Sequence, residues 1–489
     1  MHRQKKYRAV TPGVAWVLAG LQIDSPYGLA ALKALRPARA KDLASLEQNF
    51  VELARVVGFA EQDCEFFARP GSIFKHLRYI GGSLDNLEAG LVIDETELLE
   101  IKGFSLLLTD LKHWYDASGL SLSSIDFAEI DAVVKILNPD KTLVASFHLH
   151  DAYSERLKEI RAARKLLESA ILQCQDSHRR EELRRERLEI VHQERDEESS
   201  VRAELGHRLR PWVAKLRLNG ELAGQLELLL ARARIAVEHS CCRPELLPAD
   251  CRVSLLAENM INPEVAEALL SKGHGFTPVT IELINGTTLL TGANMGGKTV
   301  ALLTLAMNAE LASLGFFVFA SRFRMPLFDF ICLMAGDAQN QASGLSSFGA
   351  EIIRLTELTA LVRSGVGLAV CDEFARSTNP SEGRRFVQAL GEFLQRSGSY
   401  GIIATHYDGI KIAGAACWQV VGLKNRSQHY GGGDQNEVLG RLCANMDYRL
   451  KKLAGDYEVP KEALHIATIL EVDPEFMAIL RGYYPPEDK

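Results

Sequence analysis

Apolar residues in the first part of the chain recur at the spacing of an α-helix. Leu43, Leu46, Phe50, Leu53 and Val57 follow one another at intervals of three or four residues, which places them on one helical face. Short amphipathic stretches of this kind continue through the first 150 residues. We therefore predict an all-α region over 1–150.

Charged residues dominate the next stretch, 151–210. It holds 14 Lys and Arg against 14 Asp and Glu, with no proline before Pro211 and no glycine before Gly206. Charges of alternating sign at helical spacing are typical of a long solvated helix or an antiparallel coiled coil. A nucleic-acid-binding arm is the alternative, but the balanced charge favours the structural role. We predict that 151–250 is a long-helix lever that projects from the core and returns to it.

Alternating apolar residues replace the helical pattern beyond residue 250. Val279, Ile281 and Leu283 alternate with polar residues as in a strand, and Asn285-Gly286 predicts a hairpin turn into the next strand. Further predicted strands lie at 287–290, 316–319, 367–371 and 401–405, and predicted helices at 300–314 and 382–395. This alternation predicts an α/β domain over 251–489, with a mostly parallel sheet covered by helices.

The composition excludes several classes of protein. A chain of 489 residues that is 47% apolar and 24% charged is not a disordered, fibrous or integral membrane protein. Nine cysteines without a CxxC pair indicate neither a disulfide framework nor a zinc site. The first residues are too polar for a signal peptide, so we expect a cytoplasmic protein with no membrane partner. The net charge of −7 weighs against a nucleic-acid partner without excluding a local basic face.

A glycine-rich run lies between a predicted strand and a predicted helix. It fits the pattern GxxxxGK[ST] and comprises Gly292, Ala293, Asn294, Met295, Gly296, Gly297, Lys298 and Thr299. In such a loop, backbone N–H groups surround the phosphates of a nucleotide, and the helix N-terminus adds partial positive charge. Lys298 would reach the terminal phosphates, and Thr299 would supply a hydroxyl for Mg²⁺. The alternative is a glycine turn before a helix, without a ligand.

Two later predicted strands end in residues that can act on those phosphates. One is followed by Asp372 and Glu373, the other by His406. Since the carboxyl ends of parallel strands meet at one edge, Asp372 would hold Mg²⁺ there together with Thr299. Glu373 would orient or deprotonate the attacking water, and His406 would donate to the γ-phosphate. A helix N-cap at the acidic pair and a structural histidine are the alternatives. Together the motifs predict a Mg²⁺-dependent NTPase with Lys298, Glu373 and His406 as catalytic residues.

These motifs resemble the ATPase domain of the MutS family. The resemblance is carried by Thr291 to Thr299, Ser346-Ser347-Phe348-Gly349-Ala350-Glu351, Asp372 to Thr378 and Ala404-Thr405-His406-Tyr407. It implies an ABC-type α/β P-loop NTPase domain, preceded by an all-α core with a projecting coiled-coil lever. It also implies ATP and Mg²⁺ as ligands, with Phe276 stacking on adenine and Ser346 acting in trans on the γ-phosphate of a partner subunit. ATP would then close a two-fold dimer, formed with a second copy or with a related MutS-like subunit.

The loops around these residues depart from the family pattern. Ala293 stands where the family has proline, and the family's Ser-Thr after the lysine is Thr299-Val300. The two aspartates expected before the trans-acting serine are Gln339-Asn340, and the family's Gly-Arg-Gly-Thr is Ala375-Arg376-Ser377-Thr378. We therefore expect hydrolysis to be retained and coupling to a family-standard partner to differ.

The resemblance extends more weakly beyond the ATPase domain. Ser25-Pro26-Tyr27-Gly28 and residues 94–101 resemble the helical core of the shorter MutS branch that is associated with recombination, and 463–480 resembles the helical tail of the ATPase domain. About 250 residues precede the ATPase domain, which suffices for a core and a lever but not for the family's mismatch-reading domains.

The predicted function is that of an ATP-gated dimer clamp that hydrolyses ATP and engages DNA in repair or recombination. The first alternative is an ATP-dependent factor that remodels or reactivates a metabolic enzyme, for example a cobalamin-dependent aminomutase. The near-neutral lever, the acidic total charge and the missing reader domains favour this alternative. A scaffold that binds ATP and barely hydrolyses it is the third possibility.

Overall fold

The computed structural model describes residues 11–63, 65–139, 149, 151–249, 251, 253–292, 296–335, 347–423, 446–453, 463–470 and 472–484. Within these ranges the first half of the chain is helical, and the second half combines two β-sheets with helices. None of the helices in these ranges combines the length and the apolar character needed to cross a membrane.

The helices and strands have the following bounds. The helices up to residue 238 are α1 (Pro12–Ala19), α2 (Pro26–Ala34), α3 (Leu43–Gln62), α4 (Ala68–His76), α5 (Gly81–Ala89), α6 (Glu95–Ser118), α7 (Asp131–Leu137), α8 (Glu155–Gln173), α9 (Ser177–Leu209) and α10 (Val213–Glu238). The later helices are α11 (Pro263–Leu270), α12 (Lys298–Ser313), α13 (Ser347–Ser364), α14 (Pro380–Ser397), α15 (Ala463–Ile469) and α16 (Pro474–Gly482). The strands are β1 (Glu245–Leu247), β2 (Leu255–Met260), β3 (Val279–Leu283), β4 (Gly286–Thr291), β5 (Arg322–Pro326), β6 (Phe330–Met334), β7 (Gly367–Asp372), β8 (Tyr400–Ala404), β9 (Ala416–Leu423) and β10 (Met446–Leu453).

Helix α3 confirms the first helical face that the sequence predicts. Leu46, Phe50 and Leu53 are buried, and the buried stripe continues through Val56, whereas Val57 is partly exposed. A helix has 3.6 residues per turn, so residues spaced by three and four do not all stay on one face. Near the end of the pattern, Val56 therefore faces the core and Val57 does not.

The chain divides into two compact units. One comprises residues 22–34 and 58–231, and its described part is built from helices. The other comprises 1–21, 35–57 and 232–489 and contains both sheets. The predicted division into 1–150, 151–250 and 251–489 stays a prediction.

Within the helical unit, a buried glutamate binds the backbone at the start of a distant helix. Glu227 Oε1 accepts hydrogen bonds from the backbone N–H groups of Asp24 (2.7 Å) and Ser25 (3.0 Å), and Oε2 accepts one from the Ser25 hydroxyl. These groups lie directly before α2, where backbone donors lack helical acceptors. Burial raises the pKa of Glu227, while the hydrogen bonds from Ser25 and Asp24 act in the opposite direction.

Helices α8 and α9 of the same unit form an antiparallel hairpin joined by residues 174–176. Arg161 of α8 bonds to Glu194 (3.1 Å) and Glu198 (2.8 Å) of α9, and Arg164 bonds to Glu194 (2.7 Å). The charge-rich stretch is thus a pair of contacting helices whose cations and carboxylates bind one another.

The other unit contains a six-stranded sheet in the order β10-β9-β4-β8-β7-β6. Its strands are parallel apart from β10, which runs antiparallel to β9. Helices α12, α13 and α14 pack against it, and all six residues of β4 are buried. The predicted parallel sheet is confirmed, and β7 and β8 are the strands predicted at 367–371 and 401–405.

A second sheet, in the order β1-β5-β2-β3, corrects the predicted hairpin. Asn285-Gly286 does turn the chain, but β3 pairs with β2 while β4 pairs with β8 and β9. Gly286 has a φ of +104°, and the Asn285 side chain bonds to the Gly398 carbonyl. The turn therefore passes the chain from one sheet to the other, because the fully buried β4 needs a neighbouring strand on each side.

The strand predicted at 316–319 is also wrong. Val318 makes only an isolated bridge with Cys242, and Phe316 and Phe319 are buried. This apolar run fills the core directly after α12, and a short apolar run does not by itself distinguish a strand from a core-filling loop.

Helix α12 carries a buried carboxylate that binds the N-cap residue of α1. Glu310 of α12 is 1% exposed. It accepts hydrogen bonds from the Thr11 backbone N–H (2.9 Å) and the Thr11 hydroxyl (3.0 Å). Since Thr11 is the N-cap residue of α1, this pair joins two helices that are 299 residues apart in sequence.

Candidate functional site

Three neighbouring strands, β4, β8 and β7, run parallel and end at one edge of the six-stranded sheet. β4 leads into Gly292, β8 into Thr405-His406-Tyr407, and β7 into Glu373. The Glu373 N–H donates to the Ala404 carbonyl (3.1 Å), which continues the ladder beyond the last residue of β7. The three predicted motifs therefore share one edge, where parallel sheets bind their ligands.

The glycines of the loop after β4 adopt conformations that side chains disfavour. Gly292 has a φ of +142° and Gly297 a φ of +82°, and Gly296 is buried. A Cβ on Gly297 would lie 2.9 Å from Tyr448 Cδ1. Both conformation and space thus require glycine at 297. Three members of the predicted loop, Ala293, Asn294 and Met295, lie outside the described residues.

Lys298 begins α12 and is almost completely buried, at 5% exposure. Its Nζ donates to the Gly292 carbonyl (2.7 Å), so the side chain folds back over the loop that precedes it. Burial lowers the pKa of Lys298, and the charges of Glu373 and Asp372 act to raise it. The ammonium group therefore lies within the electrostatic field of both carboxylates, beside a helix N-terminus that itself favours an anion.

Thr299 and Asp372 meet directly. The Thr299 hydroxyl donates to Asp372 Oδ2 at 2.7 Å. The other oxygen, Oδ1, is buried and accepts no hydrogen bond from the residues that the structure describes. Burial raises the pKa of Asp372, and the bond from Thr299 opposes that rise. A buried carboxylate oxygen without a partner, next to a hydroxyl, fits the oxygen ligands that Mg²⁺ prefers.

Glu373 lies beside Asp372 in an unusual backbone conformation. Its φ is +49°, a region that few residues other than glycine occupy. Glu373 Oε2 forms an ion pair with Arg376 Nη1 at 2.8 Å. The hydrogen bond to Glu373 raises the pKa of Arg376, which is largely exposed. The predicted base is thus held by a surface cation three residues away.

His406 follows β8 at the same edge and is partly buried. Its ring centre lies 4.3 Å from that of Tyr407. The Tyr407 hydroxyl donates to the Ala375 carbonyl at 3.0 Å. Burial raises the pKa of Tyr407, which keeps its hydroxyl protonated as a donor. A hydrogen bond therefore joins the loop after β8 to the loop after β7.

Two predicted residues stay predictions for different reasons. Phe276 is partly buried in the segment between α11 and β3, and its stacking on adenine is not tested by its position there. Ser346 lies outside the described residues.

Sequence reasoning assigned no role to Arg376, Tyr407 or Glu351. Glu351 Oε1 accepts a hydrogen bond from the Ser377 hydroxyl (2.8 Å), so it fastens the loop after β7 from the side of α13. The spacing of Glu373 and Arg376, three residues apart and opposite in charge, was the available signal for their pair. The other two contacts join distant segments, and no local pattern indicates them.

Comparison with known proteins places this edge in a family context. Residues 288–431 match the family described as MutS domain V. The chain is 30% identical over 223 residues to the DNA mismatch repair protein MutS of Thermus thermophilus. This match covers 45% of this chain and 26% of that protein. It is 30% identical over 226 residues to the endonuclease MutS2 of Levilactobacillus brevis, covering 45% and 27%. It is 31% identical over 188 residues to the MutS of Natronomonas pharaonis, covering 37% and 21%. The matched region thus spans about a quarter of the length of these curated relatives.

Proposed function

Because the chain belongs to the MutS family through its domain V, we propose that it binds ATP with Mg²⁺ and hydrolyses it at the sheet edge. The observation that carries this proposal is the contact between Thr299 and Asp372 (2.7 Å), with Lys298 adjacent. Two parallel strands and the start of α12 bring these groups together, and their chemistry suits a metal-bound triphosphate.

The loop residues bind and orient the triphosphate in this proposal. The backbone N–H groups of the first turn of α12 point towards the loop and lack helical acceptors. Glycines at 292, 296 and 297 let the backbone approach the phosphates closely. Lys298 exchanges the Gly292 carbonyl (2.7 Å) for a phosphate oxygen. Burial lowers the pKa of Lys298, and the bound anion would act to raise it.

Thr299 Oγ1 and the Asp372 carboxylate would hold Mg²⁺. The ion supplies positive charge against the charge that develops on the phosphate oxygens. Asp372 contributes the buried Oδ1 that accepts no hydrogen bond from the described residues. A bound Mg²⁺ would give this buried oxygen a partner.

Glu373 is the proposed general base. It accepts a proton from the attacking water at its carboxylate, and the ion pair of Oε2 with Arg376 Nη1 (2.8 Å) holds that carboxylate in place. His406 donates a hydrogen bond to the γ-phosphate from the neighbouring strand end. Phe276 stacks on adenine, and Ser346 acts on the nucleotide of the partner subunit.

We infer that two such domains form a dimer clamp that engages DNA in repair or recombination. The support is family membership together with relatives that are named for DNA mismatch repair. The hairpin α8–α9 would serve as the lever that moves when ATP joins the two domains.

One observation favours a protein client as the second candidate. Arg161 and Arg164 of the hairpin bond to Glu194 and Glu198 within 3.1 Å, so these cations are already matched by carboxylates. DNA binding depends on cations that can neutralise phosphates. A protein surface makes no such demand.

Phosphate release from ATP tests the hydrolysis. We expect Glu373→Gln to lower the rate by at least about 100-fold while ATP still binds, because only the base is removed. Lys298→Ala should lose ATP binding as well. Glu392→Gln, in the exposed pair of Glu392 with Arg396 on α14, is the matched control and should keep the wild-type rate. Equal rates in all four proteins would favour a scaffold that only binds ATP.

DNA binding is tested separately, with duplex and branched DNA. Raising the salt concentration from about 50 mM to about 300 mM should weaken binding steeply if the contacts are to phosphates. No binding at the low-salt end would exclude DNA and leave the protein client.

A further inference from the structure

In the loop after β7, two residues other than glycine adopt the left-handed backbone conformation. Glu373 has a φ of +49° and Ala375 a φ of +61°. This conformation is unfavourable for both, and residues keep it only where the surroundings hold them. Ala375 also stands at a position where the MutS family pattern has glycine. The loop that carries the proposed base is therefore held against its backbone preference.

Two buried side chains hold the turn at Ala375, and a glycine leaves room for them. The Tyr407 hydroxyl donates to the Ala375 carbonyl at 3.0 Å. Phe374, the residue between the two left-handed positions, is 3% exposed and packs in the core. Gly383 of α14 leaves the space for this contact, because a Cβ there would lie 2.7 Å from the Ala375 carbonyl and would clash with the Tyr407 hydroxyl. We call the Tyr407–Ala375 hydrogen bond the tether.

We propose that Tyr407 is a positioning residue for ATP hydrolysis, which holds the Ala375 turn through the tether and thereby fixes the carboxylate of Glu373. This inference rests on the proposed function. Without the tether, Ala375 relaxes towards an ordinary φ, and the change passes through Phe374 to Glu373, two residues earlier.

The proposed role of the tether predicts which kinetic constant changes when the tether is lost. Lys298 and Thr299 belong to a different strand–helix connection and make their contacts with Gly292 and Asp372. These contacts do not include the Ala375 turn. Loss of the tether should therefore lower kcat while leaving KM for ATP and ATP affinity unchanged.

The test is Tyr407→Phe, which removes only the hydroxyl. We expect kcat to fall about tenfold, since a small displacement of a catalytic group has effects of this size or larger. KM should stay within about twofold of wild type. The matched control is Tyr400→Phe. Tyr400 is buried at the opposite end of β8 and also donates to a backbone carbonyl, that of Val253, so its loss has a similar structural cost without touching the loop.

A second variant separates positioning from a structural role. Glycine adopts a φ of +61° without strain, so Ala375→Gly removes the tendency that the tether opposes. Ala375→Gly alone should keep kcat within about twofold, and in the double variant it should restore most of the activity that Tyr407→Phe loses. A structural role of Tyr407 that does not act through the Ala375 turn would not be rescued in this way, and comparing the Tm values of the variants separates such a rescue from a general gain in stability.

The outcomes are distinguishable from failure of the proposed function. Equal kcat in wild type and Tyr407→Phe, together with a large loss in Glu373→Gln, overturns the tether and leaves the hydrolysis intact. Equal losses in Tyr400→Phe and Tyr407→Phe overturn it too, as does a double variant that is no better than Tyr407→Phe. If the wild-type rate does not depend on Glu373, the proposed hydrolysis fails and the role of the tether fails with it.

Discussion

The sheet edge and the hairpin α8–α9 differ in whether their buried charged groups have partners. At the edge, Asp372 Oδ1 is buried and accepts no hydrogen bond from the described part of the chain. Burial also lowers the pKa of the neighbouring Lys298. In the hairpin, Arg161 and Glu194 are also sheltered, with side-chain exposures of 19% and 6%, yet they bond to each other at 3.1 Å.

This difference separates a surface that receives a ligand from one that keeps a shape. A buried charge without a partner is unfavourable, and a bound ion of opposite sign removes the cost. A matched pair gains nothing from a further ion. The buried carboxylate oxygen of Asp372, which accepts no hydrogen bond from the described residues, is therefore the better guide to function.

Asp372→Asn should produce the largest effect and break the comparison most directly. We expect the rate of ATP hydrolysis to fall at least about 100-fold, because the proposed metal site loses its carboxylate. The ligand-free protein should nevertheless have a higher Tm at neutral pH. Burial raises the pKa of Asp372 above its ordinary 3.8, so the charged form destabilises the fold at neutral pH, and asparagine removes that charge.

The sign of this effect depends on pH. The gain in Tm should be fully present once the pH exceeds the raised pKa, should shrink as the pH falls from there towards 3.8, and should be absent below 3.8. Asp447→Asn is the control, since Asp447 is buried but paired with Arg449 at 2.6 Å, and its loss should lower Tm. A lower Tm for both variants at neutral pH would show that the edge carries no unmatched charge.

Arg161→Ala tests the opposite region, with a moderate effect. It leaves Glu194 and Glu198 with one fewer partner, and we expect the helical unit to lose about 2 kcal/mol of unfolding free energy. ATP hydrolysis should change by less than twofold. Two measurements check the loss of unfolding free energy: urea denaturation, and hydrogen exchange in α8 and α9.

Arg179→Ala gives the matched control for that variant. Arg179 pairs with Glu182 on the exposed surface of α9, and such exposed pairs add little to the free energy of unfolding. If both arginine variants lose the same stability, the sheltered network has no special role in the hairpin.

Glu227→Gln tests an intermediate case and has the smallest expected effect. Glu227 has hydrogen bonds at the start of α2, yet burial still raises its pKa above 4.5. Its stabilising contribution is complete below pH 4.5 and is lost as the pH rises through the raised pKa. The variant should therefore exceed the wild-type Tm by about 2 °C at pH 8 and match it near pH 4. A difference that grows towards acid pH would contradict this sign.

The sequence predicted the sheet edge because its signals are local. The glycine loop, Asp372-Glu373 and His406 each follow an apolar strand, and parallel strands bring their carboxyl ends together whatever the intervening chain does. The glycine loop and the acidic pair each lie at the connection from a strand to the helix that follows it, and His406 follows the end of β8.

Pairings between distant segments could not be predicted in the same way. Asn285-Gly286 has the local signature of a hairpin, but the burial of β4 on both sides decides its partners. The contacts of Glu227 with Ser25, and of Tyr407 with Ala375, depend on packing between segments that periodicity does not relate. The ion pair of Glu373 with Arg376 joins residues only three apart in sequence. Their spacing alone, however, does not determine where the two side chains point.

The pair of Thr11 with Glu310 has a consequence for how the protein is made. Ribosomes add about 5–20 residues per second, so residue 310 is synthesised about 15–60 s after residue 11. Until then α1 lacks the carboxylate that binds its first turn, and the sheet that α12 covers is incomplete. Helix α1 must therefore wait for α12 to leave the ribosome before this contact can form, and it is accessible to chaperones and proteases for that interval.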